Sequence, residues 1–157
     1  MQKISPCLWF DGNAEEAVNF YVSIFPNSKI CKIMLTGDAG PGPKGSVLMI
    51  AFTLDGQSFQ ALNGGPLYKF NEAISMSVDC KDQAEVDHYW NALTAGGGKP
   101  VQCGWLKDRY GLSWQIVPRR LVELLNDSDA AKSARVMQAM MKMVKIDVAE
   151  LERAANG

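Results

Sequence analysis

The stretch Cys103-Gly104-Trp105-Leu106-Lys107-Asp108-Arg109-Tyr110-Gly111-Leu112-Ser113-Trp114-Gln115 gathers a thiol, two indoles, an acid next to a base, and an amide. Asp108 and Arg109 could serve as an acid and an anchor for a substrate carboxylate, because the guanidinium fork matches carboxylate geometry. The alternative is a fixed turn with solvated charges, since neighbouring turn residues point in different directions. Cys103 could be a reactive thiol. A nucleophilic thiolate needs a stabilising neighbour, however, and no histidine stands near it in sequence. Cys7, beside Pro6, reads as a small buried apolar residue. The only histidine, His88, stands beside Tyr89 and Trp90. A metal site needs convergent partners, so His88 reads as a surface or boundary residue.

The elements that must position these groups follow from periodicity. Ile4 to Phe10 reads as a strand, with Pro6 marking an edge or a bulge. Asn13 and Glu16 have capping-box spacing, with Asn in place of Ser or Thr. Ala14, Val18, Tyr21 and Ile24 or Phe25 then recur at helical spacing until Pro26. Two extended stretches follow, Lys29 to Leu35 and Ser46 to Leu54, joined by the Gly/Pro-rich loop Thr36 to Gly45. In the second stretch Leu48, Ile50, Phe52 and Leu54 share one face, and Met49, Ala51 and Thr53 share the other. Asp55-Gly56 is a hairpin signal into Gln57 to Leu62.

After Asn63-Gly64-Gly65-Pro66 the order begins again. Ile74, Met76 and Val78 alternate with serines as on a half-buried strand. Asp82 and Glu85 repeat the capping spacing. Val86, Tyr89 or Trp90, and Leu93 form a second helical stripe, which Gly96-Gly97-Gly98 ends. Short strands are expected at Pro100 to Cys103, Trp105 to Lys107 and Leu112 to Val117. The two halves share element order and almost no sequence. Each leaves an apolar sheet face that pairing of the halves would cover, with a concave surface between them.

Beyond Leu121 a helical tail is expected. Ser128 can cap a helix bearing Val136, Met137, Met140, Met141 and Val144. Asp147 with Glu150 can cap a last one, with Ile146 stapled to Leu151. The methionine stripe reads as tail packed on its own domain or on a second subunit, and alternatively as a pliable partner surface. The expected division is therefore 1–65, 66–118 and 119–157, within one compact domain.

Composition excludes several classes. The 157 residues hold 16 basic and 17 acidic side chains, for a net charge of -1. No electrostatic footprint for nucleic acid or an anionic membrane results. No apolar run approaches the roughly 20 residues that span a bilayer. Met1 to Pro6 lacks an apolar signal region, so a cytoplasmic protein is expected. Cys7, Cys31, Cys80 and Cys103 form no CxxC pair and are expected as free thiols.

Three motifs carry a family resemblance. Pro6-Cys7-Leu8-Trp9-Phe10-Asp11-Gly12-Asn13-Ala14-Glu15-Glu16-Ala17, Asp82-Gln83-Ala84-Glu85-Val86-Asp87 and the Cys103 to Gln115 stretch resemble the PhnB-like branch of the vicinal oxygen chelate superfamily. The resemblance runs from about Ile4 to Pro118. It implies an α+β fold of two βαβββ modules forming a curved mixed sheet around a pocket, followed here by C-terminal helices. The superfamily includes glyoxalase I, extradiol dioxygenases, fosfomycin resistance enzymes and bleomycin-binding proteins.

Superfamily enzymes hold a divalent metal with His and Glu from inward strand positions. By resemblance those positions fall near Ile4 or Ser5, near Ala73, and on Gln115, with Gln60 on the hairpin strand. Two neutral amides bind a divalent ion weakly, so no metal or other cofactor is expected. The implied pocket is lined by candidates Trp9, Gln60, Trp105, Trp114 and Gln115, with Asp108 and Arg109 close by in sequence. Such a lining suits a flat or hydrophobic organic ligand. The indoles could equally be sheet-core filler, and strand parity alone does not say which faces inward.

Branch members often carry the label 3-demethylubiquinone-9 3-methyltransferase. S-adenosylmethionine commonly sits on a Gly-rich strand-to-helix turn, and no Gly-rich stretch here opens a helix in that way. Two function classes result. One is a small-molecule binding protein; the other is an enzyme, either metal-assisted or of the methyltransferase type. Binding is favoured because no nucleophile-base pair replaces the missing ligands. A homodimer is expected, since sheet edges and the apolar tail invite a closed two-fold pairing.

Overall fold

The computed structural model describes residues 2–157 and divides into two compact units, one ending at Phe70 and the other spanning Asn71–Gly157. In the first, β1 (Cys7–Phe10), α1 (Ala14–Ile24), β2 (Lys29–Leu35), β3 (Val47–Leu54) and β4 (Gln57–Asn63) build a sheet of order β1-β4-β3-β2. β1 and β4 run parallel, and the other neighbours are antiparallel. β1 is shorter than its apolar run implies, because pairing with β4 starts only at Cys7. The two-residue turn has φ 48° at Asp55 and 78° at Gly56, the left-handed pair that a tight hairpin requires.

Strand alternation decides the core. Leu8, Phe10, Ile50, Phe52, Leu54, Phe59 and Ala61 are buried on the face that α1 covers with Ala14, Ala17, Val18 and Tyr21. Phe52 and Phe59 stack across β3 and β4 at 5.5 Å. The cap of α1 differs from expectation. Asn13 makes no side-chain capping bond. The Ala14 N–H donates instead to Asn63 Oδ1 at 2.9 Å, from the end of β4. The Asn63 Nδ2 donates in turn to the Val47 carbonyl, so one amide ties helix to hairpin.

The second unit repeats the topology with β5 (Met76–Cys80), α2 (Gln83–Thr94), β6 (Lys99–Pro100), β7 (Trp105–Lys107) and β8 (Ser113–Pro118), in the order β5-β8-β7-β6. β5 and β8 pair in parallel, as β1 and β4 do. Asp82 caps α2 by accepting from the Glu85 N–H, and Glu85 accepts from the Lys81 N–H. This is the expected box, with its return bond shifted one residue outward. Val86, Tyr89, Trp90 and Leu93 bury against Leu106, Trp114 and Ile116.

The tail forms α3 (Arg119–Leu125), α4 (Ala130–Met140) and α5 (Val148–Asn156) within this second unit. Leu121, Leu124, Val136, Ile146, Leu151 and Ala155 make its core, with Met140 and Met143 packed against it. The methionine stripe is therefore split, because Met137 and Met141 stay exposed. Asp129, not Ser128, caps α4, accepting from the N–H groups of Ala131 and Lys132. A carboxylate meets those amides more strongly than a hydroxyl does.

The tail docks through backbone bonds. The N–H groups of Cys103 and Gly104 donate to the carbonyls of Met143 and Val144, each at 2.8 Å. Gln83 accepts from the Val148 N–H and donates to the Ile146 carbonyl. Both Cys103 (φ 59°) and Gly104 (φ 84°) are left-handed, and a Cβ on Gly104 would lie 3.0 Å from the Ile116 carbonyl and from Ile146 Cγ1. Gly104→Ala is expected to lower stability by about 1–3 kcal/mol, from backbone strain together with crowding of Ile146. Urea unfolding checks this, and an unchanged midpoint contradicts it.

Candidate functional site

α1 covers one face of the first sheet, and the opposite face carries the candidates. Register aligns Trp9, Leu62, Met49 and Met34 in one row across all four strands. Two residues away along the strands, Cys7, Gln60, Ala51 and Lys32 form a second row. An apolar row thus lies beside one that carries an amide. Trp9 and Gln60 are half-buried, and Met34 is 48% exposed.

Trp9 is held at both ends of its reach. Its indole N–H donates to the Gly65 carbonyl at 2.8 Å. A Cβ on Gly64 would fall 2.5 Å from its six-membered ring, so only glycine leaves room for the indole here. Cys7 is exposed on this face, where a buried residue was expected. It leads β1 on the face α1 does not cover. Partial desolvation holds its thiol above the usual value and so protonated at neutral pH.

In the second sheet the row opposite α2 runs Ser77, Gln115, Trp105. Gln115 and Trp105 are half-buried. The Gln115 Nε2 donates to Ser75 Oγ at 2.9 Å, which orients the amide. Gln115 faces the first strand of its sheet as Gln60 faces the first strand of the other. The repeat therefore places one amide at equivalent positions in each half. Lys107, two residues beyond Trp105, pairs with Glu72 and lowers that carboxyl's pKa by hydrogen bonding.

Trp114 and Asp108 lie inside the unit, on the helix side. Both are 3% exposed. Asp108 Oδ1 accepts from the N–H groups of Tyr110 and Leu112, and its Oδ2 accepts from the Trp114 indole at 2.9 Å. The pair locks the turn into β8, and neither group faces the row that holds Trp105 and Gln115. Arg109 is exposed, and its Nε donates to the Ala95 carbonyl at 3.3 Å across Gly96. In the first unit the structure places Trp9 and Gln60 on one sheet face; in the second it places Trp105 and Gln115 on one face and Asp108 and Trp114 on the other.

The other thiols and the histidine stand apart. Cys80 is buried, and burial, with lesser help from Glu85 and Asp79, pushes its thiol up to about 12. His88 is exposed on α2, its ring 4.9 Å from that of Tyr89. Among the described residues no three of His, Cys, Asp or Glu converge as metal ligands. At the expected ligand positions Ile4 is 83% exposed and Ala73 is exposed, and neither side chain has a donor atom. Ser5 supplies only a hydroxyl, and Gln60 and Gln115 supply neutral amides, a donor chemistry that serves a divalent metal poorly. A separate open pocket, unforeseen in the sequence, lies in the first unit between Asp11, Glu15, Thr36, Ser46, Asn63 and Gly65. None of the expected site residues lines it.

Comparison with known proteins places this geometry in context. The family described as 3-demethylubiquinone-9 3-methyltransferase matches residues 2–117. Among solved structures, a PhnB protein from Bacillus cereus that carries the same designation is 36% identical, with a TM-score of 0.68. The match covers 74% of this chain and 99% of that one. Protein PA1353 from Pseudomonas aeruginosa is 23% identical, with a TM-score of 0.61, covering 75% and 98%. A fosfomycin resistance protein from Listeria monocytogenes, complexed with Mn(II) and sulfate, is 15% identical with a TM-score of 0.51, covering 75% and 91%. The last two share the fold. No curated protein matches the chain.

The Asp108 knot is testable by itself. Asp108→Ala leaves three N–H donors without their carboxylate, and a cost of at least about 2 kcal/mol is expected. Denaturant unfolding with tryptophan emission measures it, and a loss below half that value contradicts a structural role.

Proposed function

This chain belongs to the 3-demethylubiquinone-9 3-methyltransferase family, the PhnB-like branch of the vicinal oxygen chelate superfamily, and we propose that it binds a small organic molecule without a metal. One observation carries the reading. The sheet face left uncovered by α1 joins the apolar row Trp9, Leu62, Met49 and Met34 to the neutral amide of Gln60. Apolar walls with few convergent polar groups are the usual make-up of a ligand site. Trp105 and Gln115 repeat that chemistry on the second sheet.

The metal-assisted alternative needs ligands that Ile4, Ala73, Gln60 and Gln115 supply poorly. The methyltransferase alternative follows from the family's description. Against it, parallel pairing among the described residues is confined to β1 with β4 and β5 with β8, and these form no doubly wound sheet. The Gly-rich stretches lie between β2 and β3, after β4 and after α2. None forms the strand-to-helix phosphate turn typical of nucleotide cofactors.

The protein is further proposed to be a homodimer in the cytoplasm. Met137 and Met141 of the tail are exposed, as are Ile33, Met34 and Leu35 on the edge strand β2. No helix among the described residues is long and apolar enough to cross a membrane.

Three measurements follow. Native mass spectrometry of freshly purified protein is expected to show a retained organic ligand and less than one metal per chain. About one metal surviving dialysis overturns the metal-free reading. Calorimetry is expected to give no S-adenosylmethionine binding at micromolar concentration, and stoichiometric binding there restores methyl transfer. Light scattering is expected near twice the chain mass of 17.2 kDa. Met141→Lys should then weaken association, whereas Met140→Lys should chiefly destabilise the tail core. A wild-type mass of one chain contradicts the dimer.

A further inference from the structure

We infer that the first unit selects a planar aromatic ligand, held in a corner formed by Trp9 and Tyr68. This deepens, and rests on, the small-molecule reading above. The two rings lie 5.0 Å apart with their planes at 74°. Two π surfaces meeting near a right angle are a shape that a flat ring fits in two ways at once. It can stack on one wall while its edge meets the other, and aromatic pairs favour both arrangements. A saturated ring of the same size has neither a face to stack nor an edge of positive potential.

The corner is built into the backbone. Gly64 leaves the space the Trp9 indole occupies, and the Gly65 carbonyl holds its N–H. Tyr68 comes from the segment that follows those glycines and is 62% exposed, so its ring supports no core. Further along the same segment Phe70 meets Phe10 at 5.3 Å, which anchors the chain just beyond Tyr68. Trp9 lies opposite Leu62 in the register of β1 and β4, and Gln60 stands one strand repeat along β4 from Leu62, about 6.6 Å. A flat ring against the aromatic pair with an amide or carbonyl directed along β4 therefore has a partner at each end.

Naphthalene-2-carboxamide and its saturated counterpart, decahydronaphthalene-2-carboxamide, test this on the full chain. Affinity is read from the Trp9 indole N–H resonance. The planar amide is expected to bind about fivefold or more tightly than the saturated one, the worth of one aromatic contact. Tyr68→Ala is expected to erase that preference, and Tyr68→Phe to keep it within twofold. Equal binding of the two amides, or unchanged selectivity in Tyr68→Ala, overturns the aromatic corner while leaving ligand binding on the apolar row intact. If neither amide binds at millimolar concentration, the corner is wrong. If native mass spectrometry also finds no retained molecule, the small-molecule reading falls with it.

Discussion

A single helix packs against one face of a four-stranded sheet, and that constraint governs each unit of this protein. Burial of Phe52, Phe59 and Ile50 under α1 contributes on the order of 2 kcal/mol per side chain. The alternation that sends those side chains toward the helix sends their neighbours the other way. Trp9, Met49, Gln60 and Leu62 are consequently left on the face that α1 does not cover, by the same pattern that makes the core. Trp105 and Gln115 are left in the same way under α2. Core and candidate site are two consequences of one period of two.

The tail adds a second constraint, local to the turn before β7. The Bacillus cereus protein is matched over 99% of its length by 74% of this chain, and the family match ends at residue 117. The helices beyond are additional to that common portion. They fasten to Cys103 and Gly104 by backbone bonds, one residue before Trp105 enters its strand. The thiol that invited a catalytic reading thus belongs to a left-handed turn held by the tail.

The family's descriptive name does not by itself assign a reaction to this chain. Fold alone does not decide function, and this fold carries several chemistries. Of the positions considered for metal ligands, Gln60 and Gln115 carry neutral amides, and Ile4 and Ala73 carry aliphatic side chains. What the chain builds with care is an indole fitted over one glycine and bonded to the next.

Local patterns were sufficient for much of this. The alternation in β3, the Asp55-Gly56 turn, the Asp82 cap and the repeated element order were all legible, because each depends on residues within a few positions. The family resemblance also stood in the motifs around Trp9, Asp82 and Trp105. Tertiary structure decided the rest, for a reason of distance. The cap on α1 comes from Asn63, 49 residues away, and displaces the nearby Asn13. Trp114 and Trp105 are both indoles on short strands, and only strand pairing and the Asp108 carboxylate assign one to the core and the other to the opposite face. Periodicity says that a strand has two faces. Which of them a helix covers is settled by contacts between residues far apart in the chain.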